Sequence, residues 1–287
     1  MLLLVICDPS RAQSATNTVV IIKSSDNSYF SKTIDTLSKH VVADTEFEAI
    51  LVGEEAVAQN PKLYIALGQQ AADSLANIAE NVPVINAYLT LEQFQNLPQN
   101  RGLTVLLDQP LERYLAFSKL TLQVDSIGII TEKQIQLNSS QQELLENLDL
   151  SLEQHQVTAD QKLLPTLRGL LDSSDALLML PRQSIYNRDS LKGVLLTSYR
   201  GGKPVISYSS AHVRSGALAS IYSSPIDIGR HISLLMNSLL QNEPPEGPKF
   251  HFARFYTITF NSRVASALDL TLPGKSAIRQ QLDRLSQ

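Results

Sequence analysis

The sequence predicts an α/β protein of two doubly wound, Rossmann-like lobes with mainly parallel sheets. Three observations predict it. The chain of 287 residues exceeds one ordinary core and suits two units of roughly 100–150 residues each. Short apolar runs alternate with segments of helical period, which argues for parallel strands covered by helices on both faces. The alternation completes one series near Asp108 and then begins again.

In the first series, "TVVIIKS" (18–24) is β-branched and strand-like. "SYFSKTIDTLSKH" places Phe30, Ile34 and Leu37 on one helical face. "FEAILV" and "KLYIALG" are the next strands, and the Ala-rich "QQAADSLANIAE" is a helix. "VPVINAYL" and "GLTVLLD" are strands that bracket a short helix around Glu92 to Leu97.

In the second series, "LERYLAFSKLTL" is helical, "DSIGIIT" a strand and "SQQELLENL" a helix. "DQKLLPTLRGLLDSS" is helical around Pro165, and "DALLMLP" is a strand. "RDSLKGVLLTSYRGG" is a helix closed by glycines. "KPVISYS" and "GALASIYS" are strands, and "DIGRHISLLMNSLLQ" is a long amphipathic helix. "NEPPEGP" is a loop or hinge, "KFHFARFYTITFN" alternates like one strand, and 276–286 is a polar helix or frayed tail.

Composition narrows the function. Apolar residues make up 43% and charged residues 18%, which supplies a sizeable core. The net charge of -4 comes with no basic cluster, so nothing resembles an electrostatic footprint for nucleic acid. The single cysteine, Cys7, cannot form a disulfide within this sequence or build a cysteine zinc site. "MLLLVIC" with Ala12, Ser14 and Ala15 behind it reads as the tail of an export signal spanning 1–16. A lipoprotein reading is weaker, because Ile6 stands where a small residue is expected; a disordered or buried N-terminal strand is the bland alternative.

Enzymatic motifs are scarce. There is no G-x-S-x-G elbow, no phosphate loop and no H-E-x-x-H, and no histidine pair has metal-ligand spacing. Neither catalysis nor a cofactor nor a metal is expected. In open α/β sheets ligands sit beyond the carboxyl ends of the strands, so the strand exits carry the information. "KSSDNS" offers Ser24 and Ser25, either as ligand contacts or as ordinary helix caps. "LGQQAAD" sets Gly68 before a helix. "PRQSIYN" offers Arg182 for a carboxylate, Gln183, and Tyr186 for stacking, or simply a surface loop. "SYSS" offers Tyr208, Ser209 and Ser210, with His212 and Arg214 beside them.

The ordered segments "DALLMLP", "KPVISYSSAHVRSGALASI", "DIGRHISLLMNSLLQNEPPEGP" and "NSRVASALDLTLP" carry a resemblance. Together they resemble the ABC-transporter substrate-binding protein family with the type I periplasmic-binding fold, in its tryptophan- and tyrosine-type subfamily. Asn261, Ala265, Leu268, Leu270 and Pro273 fit the family's closing pattern, and "YIALGQQAADSLA" resembles its first-lobe turn. The resemblance implies two lobes joined by three crossings, near Asp108, Tyr222 and Glu243. Residues 17–108 and 222–243 would form lobe 1, residues 109–221 and 244–275 lobe 2, and 276–287 a tail. Cleft candidates are then Ser24, Ser25, Gly68, Gln69, Tyr88, Arg182, Gln183, Tyr208, Ser209 and Ser210. The family commonly sets an Asp after the strand matching "ALLMLP"; here Arg182 and Gln183 follow it. An Arg repels an ammonium group, which points to an anionic or neutral polar ligand.

Two readings lead, ahead of a sugar- or nucleotide-processing enzyme on a similar fold, which no catalytic constellation supports. One is a monomeric periplasmic binding protein that closes on a small polar ligand and presents it to an inner-membrane permease or a sensor receptor. The other is a periplasmic interaction module with a degenerate cleft, docking on a sensor kinase, a cyclase or an outer-membrane complex.

Overall fold

The computed structural model describes residues 17–42, 44–75, 82–97, 102–157 and 162–285. The expected export signal at 1–16 lies outside them.

The chain opens with β1 (Asn17–Lys23), α1 (Ser28–His40), β2 (Thr45–Leu51), β3 (Leu63–Leu67), α2 (Gln69–Ser74), β4 (Val84–Leu89), α3 (Leu91–Gln95) and β5 (Leu103–Leu106). It continues with α4 (Leu111–Leu122), β6 (Ser126–Thr131), α5 (Ser139–Asn147), β7 (Ser151–Gln156), α6 (Leu163–Ser173), β8 (Ala176–Leu178), α7 (Leu191–Arg200), β9 (Val205–Ser207), α8 (Ser210–Ser215) and β10 (Ala219–Tyr222). Then come α9 (Pro225–Leu240), β11 (Phe250–Phe252), β12 (Thr257–Phe260), α10 (Ser262–Ala267) and α11 (Lys275–Leu285). Two six-stranded sheets result, in the orders β2-β1-β3-β4-β5-β11 and β7-β6-β8-β9-β10-β12. All pairs are parallel except β10 with β12. The expected pair of doubly wound, mainly parallel lobes is what forms.

The period of two along each strand divides its side chains between two apolar layers. Val19 and Ile21 of β1 pack beneath α1 and α9, whereas Val20 and Ile22 join the layer of α2 and α3. In the second lobe Ala176 and Leu178 of β8 face α4, while Leu177 packs toward α6 and α7. Gly229 lets α9 lie close on α1, since a Cβ there would come within 2.8 Å of Thr36 Cβ and 3.0 Å of the Thr33 carbonyl.

The chain passes between the sheets at residues 107–110, 223–224 and 253–256. The third crossing corrects the sequence reading, which placed it near Glu243. "KFHFARFYTITFN" is two strands in two sheets: β11 pairs with β5 and β12 with β10. The tail assignment is corrected as well. α11 packs on α4 with Ile278 and Leu282 buried in the second-lobe core. β7 was not anticipated; "SLEQHQ" is a polar edge strand paired only with β6. Among the described residues no helix is long and apolar enough to cross a membrane.

Candidate functional site

In both lobes the strand order reverses beside the first strand, between β1 and β3 and between β6 and β8. The loops leaving the carboxyl ends there face one another across a cavity of about 460 Å³, a volume typical of small-molecule sites. Lobe 1 contributes Asn27, Tyr29, Phe30, Gly68, Tyr88 and Thr90. Lobe 2 contributes Tyr114, Pro181, Gln183, Tyr208, Ser209 and Ser210, and the crossings add Leu107 and residues 222–225.

The lobe 1 wall is held from below. Asn27 caps α1, its Oδ1 accepting from the Tyr29 and Phe30 amides, each at 3.0 Å. Ser24 Oγ accepts from the Ala71 amide at 3.0 Å and ties the β1 exit to α2. Gly68 lies between them at φ 96°, and a Cβ there would meet Ser24 Oγ at 2.6 Å. Tyr88 has φ 63° at an irregularity in the β4–β5 pairing between Ala87 and Leu89. Such a left-handed bulge costs free energy and re-aims a side chain. Here the Tyr88 hydroxyl meets Thr33 Oγ1 at 2.5 Å. Thr33 has one hydroxyl hydrogen and already faces the Tyr29 and Pro225 carbonyls at 3.1 Å, so Tyr88 is the donor. The Tyr88 ring also meets Phe30 edge-on, with centroids 5.0 Å apart. Burial pushes its phenol up to about 12.

The lobe 2 wall is built on the β9 exit. Tyr208 OH donates to the Tyr186 carbonyl at 3.4 Å, and its ring packs edge-on against His212. Burial pushes the Tyr208 phenol up to about 12 and lowers the His212 pKa. Ser209 caps α8, its Oγ accepting from the Ala211 amide. Ser207 Oγ and His212 Nδ1 lie 2.6 Å apart. A Ser–His pair can begin a nucleophilic site, but Ser207 is fully buried, which denies its hydroxyl a substrate. No cluster of three or more residues suited to a metal ion occurs among the described residues.

Of the sequence candidates, Gly68, Tyr88, Gln183, Tyr208, Ser209 and Ser210 come together on these walls. Five stand off them. Ser24 serves α2, and Ser25 Oγ accepts from the Asn27 amide side chain. Gln69 turns along its own helix to Asp73. Arg182 pairs with Glu132 at 3.7 Å and borders a neighbouring cavity of about 410 Å³ that also holds Asp108. Tyr186 belongs to the second-lobe core. Sequence reasoning missed Tyr29, Phe30, Tyr114 and Tyr222. Their signal was weak, since an aromatic at helical spacing or a strand end reads as core.

The fold and site define a two-lobed α/β protein with a cavity between facing strand exits. Residues 35–280 match the family model described as ABC transporter substrate binding protein, and the chain belongs to that family. Proteins of this family bind small ligands and dock with ABC permeases. A search of curated proteins returned no match. Among solved structures, an ABC domain from Streptococcus pneumonia in complex with L-Trp is 18% identical, with a TM-score of 0.57, covering 92% of this chain and 98% of that one. A ligand-free, open substrate-binding protein with adhesive properties from Clostridium difficile is 14% identical, with a TM-score of 0.66, covering 91% and 97%. At these identities the likeness shows the fold, which is the type I periplasmic-binding-protein fold.

Proposed function

We propose that this protein is exported, acts as a monomer in the periplasm, and delivers a small polar ligand from its cleft to an ABC permease. The observation that carries the reading is the cavity of about 460 Å³ at the facing strand exits, walled by both lobes and by the crossings. A cleft that had lost its ligand would be free to fill with its own side chains. This one is open, with neutral hydrogen-bonding groups on its walls. Closure of the two lobes about the crossings would enclose the ligand, the binding energy selecting the closed state.

A thermal-shift screen of amino acids, nucleosides, sugars and small anions tests the reading. A ligand at ~100 times its Kd adds about 2.7 kcal/mol of stability. A bound ligand should also shrink the radius of gyration measured by small-angle scattering. A folded protein that responds to nothing across the panel would overturn the solute-binding reading in favour of an interaction module.

A further inference from the structure

We infer that the cleft takes an uncharged solute carrying a flat ring, for which a nucleoside is the model. The inference rests on the solute-binding reading and names its ligand class. Among the described residues, no charged side chain lines the cavity. Of the ionised groups near it, two are held in ion pairs, and Arg214 behind the wall donates its Nη1 to Ser210 Oγ at 3.3 Å. Arg182 pairs with Glu132, and Lys23 pairs with Asp26. The Asp227 carboxylate, behind Ser224 and Pro225 of the wall, accepts from the Ser224 amide, Ser224 Oγ and Thr257 Oγ1.

These pairings decide against an ion. The N-terminus of α9 meets the cavity at Ser224, but Asp227 already places negative charge there. A second anion would meet repulsion instead of an open helix end. The α1 terminus is likewise capped by Asn27. A carboxylate or phosphate entering the cleft would shed water and find no cation among the lining side chains. An ammonium group would find no carboxylate on the walls. An ion moved out of water without a partner is penalised far more than a neutral polar group.

The walls offer a different set of contacts. Tyr29, Phe30, Tyr88, Tyr208 and Tyr222 present aromatic surface, and such rings favour offset or edge contact with a planar ligand. Tyr29 is 56% exposed on this wall, a ring with apolar surface left to cover. The side chains of Thr90, Gln183, Ser209 and Ser210 add uncharged donors and acceptors. A heteroaromatic base with a hydroxylated sugar meets both kinds of wall and brings no charge.

Calorimetric titration of the full chain tests this, using uridine, adenosine and nicotinamide riboside's neutral base nicotinamide against tryptophan, benzoate and choline. Binding of a neutral ring compound is expected, with Kd changing less than about twofold between low and high salt, because no charge pair is there to be screened. Tyr88→Ala and Gln183→Ala, shown folded by circular dichroism, should each weaken it, the first by about tenfold or more. Binding of tryptophan, benzoate or choline without any neutral ring compound would overturn the ligand class and leave the solute-binding reading standing. Silence from every compound would overturn the ligand class, and silence from the wider thermal panel would overturn both. Neutral-ring binding that neither variant weakens would place the ligand outside the cleft and overturn the inference.

Discussion

Gln109 Nε2 donates to Ser223 Oγ at 2.9 Å, joining the first crossing between the lobes to the second. Ser223 Oγ in turn donates to the Phe255 carbonyl on the third crossing at 2.7 Å. Arg113 completes the circuit, with Nη1 on Gln109 Oε1 at 2.6 Å and on the Ala253 carbonyl at 3.0 Å. One network therefore holds all three crossings, and Ser223 also lines the cavity. A ligand touching that wall would touch the hinge itself.

Ser223→Ala should destabilise the fold. The change leaves the Gln109 amide and the Phe255 carbonyl without their shared partner. Leaving such part-buried groups unsatisfied costs about 1–3 kcal/mol, to be read as a lower urea midpoint with an unchanged slope.

Gly229→Ala should cost about 1–3 kcal/mol by forcing α9 off α1. The new Cβ would strike Thr36 and the Thr33 carbonyl. Because Thr33 accepts from Tyr88, the same displacement reaches the cleft. Lower ligand affinity together with a lower Tm checks the coupling.

Much of this fold was legible because a parallel sheet buries both faces of its strands, and runs such as "TVVIIK" and "LYIAL" announce that. What was not legible depended on partners distant in sequence. β7 carries no apolar run, and only its pairing with β6 makes it a strand. "FHF" and "TITF" look like one strand until β5 and β10 claim them separately. In the site, the exits "PRQ" and "SYSS" were readable, but the turn of Arg182 toward Glu132 was not. Nor could spacing show that Tyr114 of α4 and Tyr222 of β10 meet at one cavity.

Five of the nine tyrosines, Tyr88, Tyr114, Tyr186, Tyr208 and Tyr256, have phenols pushed above their ordinary range, chiefly by burial. The unfolded chain therefore releases these protons first, near pH ~10. Stability should fall as pH rises through that value toward the folded pKa values. Ultraviolet titration of the native protein should show these five still neutral at about pH 11 and ionising together on unfolding.

His231 gives the opposite edge of the stability profile. Its Nδ1 accepts from the Arg254 amide on the third crossing. Burial, with His251 and Arg254 adding positive potential, lowers its pKa to about 4. The unfolded histidine takes up its proton near pH ~6.5. Stability is complete above that value and is lost as pH falls toward the folded pKa. Urea melts should show a loss on the order of 2 kcal/mol between pH ~7.5 and ~5. His231→Asn should flatten that dependence.

The C-terminal helix should prove part of the hinge support. Tyr256, on the third crossing, lies between Arg113 and Arg279, whose guanidinium carbons stand 4.8 and 5.0 Å from its ring centroid. Its hydroxyl donates to Asp283 at 2.7 Å, and Arg279 Nη2 donates to its carbonyl at 2.8 Å. α11 thus grips the crossing by charge while Ile278 and Leu282 anchor it in the core. Leu282→Ala removes the anchor and should cost about 2–5 kcal/mol. Tyr256→Phe keeps the ring between the two arginines and removes only the bond to Asp283, so it should cost about 1 kcal/mol. A frayed tail would make both substitutions neutral in urea melts, whereas a hinge support makes the core substitution the larger of the two.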